Sequence, residues 1–332
     1  IRLCGSDKMS EIQNNTSSSR LQFFPVMMFA VIMGFSGITL AYKKASEVFL
    51  LPEIIYQILS YITACIAVII TFIYLLKLIK YPNEVRQEIK HPVRVNFFAA
   101  ISISMLLIST VFHEYENIAL PLFIFGAGMQ TFFTFYTITY WLNKNIELAH
   151  SNPAWFIPVV GNLIVPIAGD GFADIYLLDF FFSLGIFFWI ILTAILFNRI
   201  IFHGMLAQKF LPTLAIFIAP PSVGMLSYLK LQGAYDMFAV ILFNVALTFG
   251  LILLALIKNF YKIKFFISWW AFTFPMAALT MAIITVYEKT SFEYLTFKLL
   301  GYVSLIMTSI LILIVLIRTI IAVKNGEICV KE

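Results

Sequence analysis

The chain has 332 residues, of which 61% are hydrophobic and 12% charged, with 35 phenylalanines and a mean hydropathy of +0.96. That balance excludes a soluble globular domain and describes an integral membrane protein. The formal net charge of +5 is scattered through the connections between apolar runs, and nothing in its distribution implies nucleic acid.

Residues 1–22 are polar, with Asn14, Asn15, Ser17, Ser18 and Ser19, and read as a disordered tail in which Met9 is a candidate biological start. Ten apolar runs follow, at 23–42, 54–76, 95–112, 118–141, 155–168, 176–197, 211–228, 237–257, 266–287 and 297–322. Each is read against the roughly 20 residues that cross a bilayer. The first is not a signal peptide, because its apolar core is long and closes on Tyr42, Lys43 and Lys44 rather than on a small-residue cleavage site. The fifth is short and borrows Gly169 to Gly171; without it the alternation of loop charge would fail. Residues 23–323 thus form one transmembrane domain and 324–332 a short tail.

Seven of the twelve prolines, Pro25, Pro158, Pro166, Pro212, Pro220, Pro221 and Pro275, fall in odd-numbered runs. Inside a helix a proline removes one backbone hydrogen bond and clashes with the preceding turn. In lipid that defect survives only where neighbouring protein satisfies the freed groups. The expected fold is therefore all-α: ten transmembrane helices in five hairpins, the odd ones forming an inner ring and the even ones an outer ring. Pro52 and Pro121 touch even runs only at their starts, where proline costs little. Gly34, Ser36 and Gly37, and Gly126, Ala127 and Gly128, allow close helix contacts.

Loop charge assigns a direction. The two tails and the connections after even runs hold 17 of the 22 basic residues; Lys43, Lys44, Lys230, Lys289 and Lys298 lie on the other side. Under the positive-inside rule both termini are cytoplasmic, in a cell inner (plasma) membrane. Trp141, Trp155, Trp269 and Trp270 fall at run ends on the cytoplasmic side and read as interfacial anchors.

Catalysis needs convergent polar groups, and the runs offer none of the hydrolase, phosphate-loop or zinc signatures. Three cysteines, Cys4, Cys65 and Cys329, have no metal or disulfide spacing. An enzyme is not expected, nor a cofactor or a metal site. The odd runs carry no mid-membrane charge, only small and hydroxylated residues: Ser36, Thr39, Ser102, Ser104, Ser109, Thr110, Asn162, Thr213, Ser222, Thr273 and Thr280. Such a lining would hold an ion weakly, which suits a channel, because conduction requires that the ion can leave. Arg94, Asn96 and Asn162 are the candidates for a polar pore or mouth.

Five motifs in order carry a resemblance over about residues 22–323: Phe24 to Gly34, His91 to Phe97, Asn152 to Pro166, Ala219 to Gly224 and Ser268 to Thr280. Together they resemble the TehA-like tellurite-resistance and dicarboxylate-transporter family, to which plant slow-type guard-cell anion channels are similar. The resemblance implies ten helices, a central pore lined by the odd ones, and a homotrimer with one pore per subunit. It also implies a phenylalanine from the ninth helix that blocks the pore. Of Phe272 and Phe274, the gate falls on Phe274, since the position matching Phe272 looks like a tyrosine in relatives. Pro275 beside it, with Pro25, Pro158, Pro166, Pro220 and Pro221, then marks the kinks of the pore-lining helices.

The expected function is a passive, gated channel for small monovalent anions, preferring weakly hydrated ones such as nitrate. The alternative is a proton-coupled carrier of C4-dicarboxylates or tellurite oxyanions. Expected partners are those anions, membrane lipid and further copies of the chain.

Overall fold

The computed structural model describes residues 20–329 except 262 and 291; the tail readings at 1–19, with Met9 and Cys4, and at 330–332 lie outside it. Only α- and 3-10 helices occur among the described residues. Nine are long and apolar enough to cross a membrane: α1 (Val26–Phe49), α2 (Glu53–Lys80), α3 (Arg94–Val111), α4 (Glu116–Asn143), α6 (Ile175–Phe202), α7 (Gln208–Gln232), α8 (Met237–Ala255), α9 (Ile267–Lys289) and α10 (Leu295–Lys324). The fifth apolar segment, α5 (Pro153–Ala168), is shorter.

Burial divides these segments sharply. In α1, α3, α7 and α9, 67–72% of the most apolar window is buried, against 22–33% in α2, α4, α6, α8 and α10. Most of α5 is buried as well. Chain neighbours pack as pairs, α1 on α2, α3 on α4, α5 on α6, α7 on α8 and α9 on α10. The buried segments also touch in a closed series, α1 to α3, α3 to α5, α5 to α7, α7 to α9 and α9 back to α1.

Every buried segment enters as a 3-10 helix before winding into α: Val26–Met28, Arg94–Phe98, Pro153–Trp155, Gln208–Ile218 and Ile267–Phe272. This corrects the expectation of a broken helix interior at Pro166, Pro220, Pro221 and Pro275, whereas Pro212 does lie inside the 3-10 helix Gln208–Ile218. Pro220 and Pro221 open the α-helical part Ala219–Gln232, Pro166 opens Val165–Ala168, and Pro275 is the third residue of Thr273–Lys289. The missing donor therefore falls where the hydrogen-bond register changes from three to four residues, and its cost is small. Pro121 departs the other way: it lies inside Glu116–Asn143, beyond the first turn.

Small residues set the closest approaches. A Cβ on Gly34 would overlap the Thr273 hydroxyl and one on Gly37 would lie 3.2 Å from the Phe274 ring, so α1 meets α9 backbone-close. Gly126 packs on Leu106, whereas a Cβ on Gly128 would meet nothing within 4 Å, so no close helix approach requires a glycine there. Trp270 is also not an interfacial anchor. It is 1% exposed, and its indole N–H donates to Thr319 Oγ1 at 2.9 Å.

Candidate pore

Two cavities lie within the series of buried segments. The smaller, about 70 Å³, is nearest the 3-10 entries and is lined by residues that include Met27, Ala30, Phe97, Ala100, Ile216 and Trp270. The larger, about 470 Å³, faces the opposite ends of the same segments and includes Leu40, Leu107, Ile167, Leu229 and Met281. No residue of α2, α4, α6, α8 or α10 lines either one. Three side chains line both: Ile164, Val223 and Phe274. They form the septum between the cavities and are only 3%, 4% and 6% exposed. Phe274 was singled out in the sequence; Ile164 and Val223 were not.

Of the expected kinks, Pro220 and Pro275 line the smaller cavity, and Pro25, Pro158, Pro166 and Pro221 line neither. Nor do Arg94, Asn96 or Asn162. Asn96 turns its amide N–H groups onto Val93 O and Pro92 O at the start of its own helix. Asn162 donates to Val159 O at 2.7 Å and Thr134 Oγ1 at 2.9 Å. Arg94, half-buried, opens α3 with its backbone N–H on His91 Nδ1.

The expected hydroxyl lining is also corrected: of those residues only Thr110 borders a cavity. Ser104, Ser222 and Thr273 donate to helix carbonyls, and Thr39 and Thr280 pair with Thr63 and Thr308 of the outer helices. Away from water, these hydroxyls are satisfied by the preceding turn or by a neighbouring helix, with buried Ser36 Oγ left unpartnered.

Two buried polar clusters brace the buried segments, one at α3 and α5 and one at the start of α1, and neither was read from the sequence. Gln130, 0% exposed in α4, accepts from Ser102 Oγ and donates to Pro158 O at 2.9 Å, and Thr134 donates to the same carbonyl at 2.7 Å. The outer helix thereby satisfies the carbonyl released where α5 changes register. The second cluster gathers the short connecting helix Pro82–Lys90, the end of α2 and the start of α1. Glu88 accepts from Lys77 Nζ at 2.7 Å, Val26 N at 3.0 Å and the Tyr74 hydroxyl at 3.2 Å. Lys77 also donates to Phe24 O at 2.8 Å. A glutamine inside an apolar run, and a lysine eleven residues before a glutamate, were the available signals.

The larger cavity carries charge, contrary to the expected uncharged lining. Lys43, Lys44, Lys230 and Lys289 border it together with Glu47, Asp170 and Glu288. The ammonium groups are held by carboxylates of adjacent segments: Lys43 by Glu114 at 2.7 Å, Lys44 by Glu288 at 2.8 Å and Lys230 by Asp170 at 2.8 Å. The hydrogen bond from Lys43, and then its charge, hold the Glu114 carboxyl below its ordinary value. Three of the four lysines at this end are thus paired with carboxylates that offset much of their field, whereas Lys289 donates to the carbonyl of Gly233 at 3.3 Å.

The buried segments thus ring two cavities that share Ile164, Val223 and Phe274 in their walls. Residues 23–320 match the family model described as the voltage-dependent anion channel, SLAC1. The chain belongs to this family. Among SLAC1-family relatives is the S-type anion channel SLAH3 of Arabidopsis thaliana, 29% identical over 270 residues, or 79% of this chain and 42% of that one. The tellurite resistance protein TehA homolog of Haemophilus influenzae is 25% identical over 261 residues, covering 77% and 79% of the two chains. An uncharacterised transporter of Methanocaldococcus jannaschii is 26% identical over 286 residues, covering 78% and 83%. The match spans about half the length of the plant relatives. The plant relative is named as a channel and the Methanocaldococcus jannaschii relative as a transporter, and this member, with nine helices among the described residues long and apolar enough to cross a membrane, is a multi-pass membrane protein.

Proposed function

We propose that the chain is a passive channel for small monovalent anions, shut by Phe274 at the septum. The observation that carries this reading is that Phe274 borders both cavities, so its ring separates two spaces that would otherwise join. It stands directly before Pro275, at the first turn of the α-helical part of α9. Ile164 and Val223 complete the septum. The apolar smaller cavity supports a preference for weakly hydrated anions, since an ion entering it sheds water without replacement partners. Reversal potentials of the Phe274→Ala variant in planar bilayers test this: nitrate is expected to be more permeant than chloride, and equal permeability to potassium would overturn it.

The ten segments are read as ten crossings in five hairpins, residues 23–323 forming the pore domain with the odd segments inside. Loop charge supports cytoplasmic termini and insertion in the cell's inner membrane. On the resemblance, three such subunits assemble with one pore each; mass photometry of the purified protein tests that number. The coupled-carrier alternative needs polar groups presented to substrate; Asn96 and Asn162 line neither cavity and spend their amide N–H groups on Val93 O, Val159 O and Thr134 Oγ1, which favours the channel.

A further inference from the structure

The smaller cavity has a property that conduction does not require. Its wall is aliphatic, aromatic and thioether, and its polar side-chain groups are engaged: Ser268 Oγ donates to Lys209 O at 2.6 Å and the Trp270 indole N–H to Thr319 Oγ1 at 2.9 Å. A water molecule held there needs two to four polar partners, so this lining, although the cavity is not sealed from its surroundings, favours apolar guests over water. At about 70 Å³ it is roughly half the size of the ~150 Å³ engineered cavity that accepts benzene or xenon. Met27 and Met33 in its wall are unbranched thioethers, able to close around guests of differing shape.

We infer that this cavity is a binding site for small apolar molecules of xenon or halomethane size, and that such a guest blocks the pore. The cavity is lined from all five buried segments and bounded on one side by Phe274 and Pro275. A guest therefore packs against the septum, keeping the ring from turning into this space and excluding an anion from the path. The blocking half rests on the channel reading; the binding half does not.

The binding test is xenon-129 NMR on the full chain in lipid nanodiscs. A saturable shift is expected, set apart from the linear lipid contribution, and lost in Ala100→Leu, which fills the cavity from α3. A shift that stays linear, or that survives in a folded Ala100→Leu, overturns the site. Should Ala100→Leu fail to fold, Ile216→Ala decides instead: the enlarged cavity is expected to bind chloroform severalfold more tightly, and unchanged affinity overturns the proposal. Block by exclusion of the anion is read as current through Phe274→Ala, with xenon binding to that variant measured by the same NMR shift; the current is expected to fall at least twofold at saturating xenon. Binding with undiminished current refutes the block, whereas a Phe274→Ala variant that carries no current refutes the gate and leaves the NMR result to judge the site.

Discussion

Replacing Phe274 by alanine removes the ring that both cavities share, leaving Ile164 and Val223 as the remaining septum. Two magnitudes follow. A buried Phe→Ala change costs about 3–5 kcal/mol when the void persists. Here the void opens into the cavity of about 470 Å³, where water can enter, so the cost should lie near the lower end. For the ion, an apolar plug imposes an effective desolvation penalty of several kcal/mol. Relieving about 3–4 kcal/mol of it would raise flux by roughly 10²–10³-fold. The assay is anion current in planar bilayers at matched protein density, with Phe274→Leu as the volume control. Leucine keeps an apolar plug, so its current is expected to stay within about tenfold of the wild type, a barrier change below about 1.4 kcal/mol. Equal currents for wild type and Phe274→Ala, or equal currents for the leucine and alanine variants, would refute the reasoning.

Three further outcomes follow from the packing. Lys77→Met leaves the Glu88 carboxylate buried without its cation and should cost about 3–5 kcal/mol in unfolding, while Lys77→Met with Glu88→Leu recovers much of it; thermal unfolding in nanodiscs checks both, and a neutral single variant would count against the cluster. Gly34→Ala drives a methyl into Thr273 on α9 and should cost about 1–3 kcal/mol by the same measurement. Glu114, whose carboxyl is held below its ordinary value by Lys43, should contribute stability above that ordinary value and lose it as pH falls through the lowered one. Acid titration of wild type against Glu114→Gln should therefore converge below the ordinary carboxylate range; curves that stay parallel would dismiss the contact.

The division into buried and exposed segments was legible because the groups freed by a proline in an apolar run need neighbouring protein to satisfy them, and the prolines gather in alternate runs. What the prolines do there was not legible. A 3-10 lead-in such as Ile267–Phe272 leaves no composition signal distinct from an α-helix, so Pro275 looked like a break when it opens a turn. Phe274 was found only because motif order singled it out among 35 phenylalanines. Ile164 and Val223 are ordinary apolar residues in apolar runs, and only the course of the cavities distinguishes them. Lys43 and Lys44 were counted as loop charges, but α1 continues to Phe49, which carries both to the cavity wall. The Lys77 and Glu88 pair escaped because two charges flanking a connection look solvated until the connection folds back over the helix ends.

The restraints on the buried segments bear on how the septum could open. At one face the segments are tied around the ring: Lys43 to Glu114, Lys44 to Glu288, Lys230 to Asp170, and Lys289 to the carbonyl of Gly233, with His113 against Phe172 at 4.7 Å between α3 and α5. At the other face Glu88 holds the start of α1, and Ser268 holds the entry of α9 to that of α7. Between the faces, α9 lies against Gly34 and Gly37 at distances that admit no extra methyl without displacement. Sliding or tilting α9 would break several of these ties together and close on α1. Turning the Phe274 side chain breaks none of these hydrogen bonds or ion pairs, and both cavities offer the ring somewhere to go. Under the proposed function, the energetic ordering therefore favours a side-chain gate in a fixed helical frame, and a guest in the smaller cavity would leave the ring only the larger one to turn into.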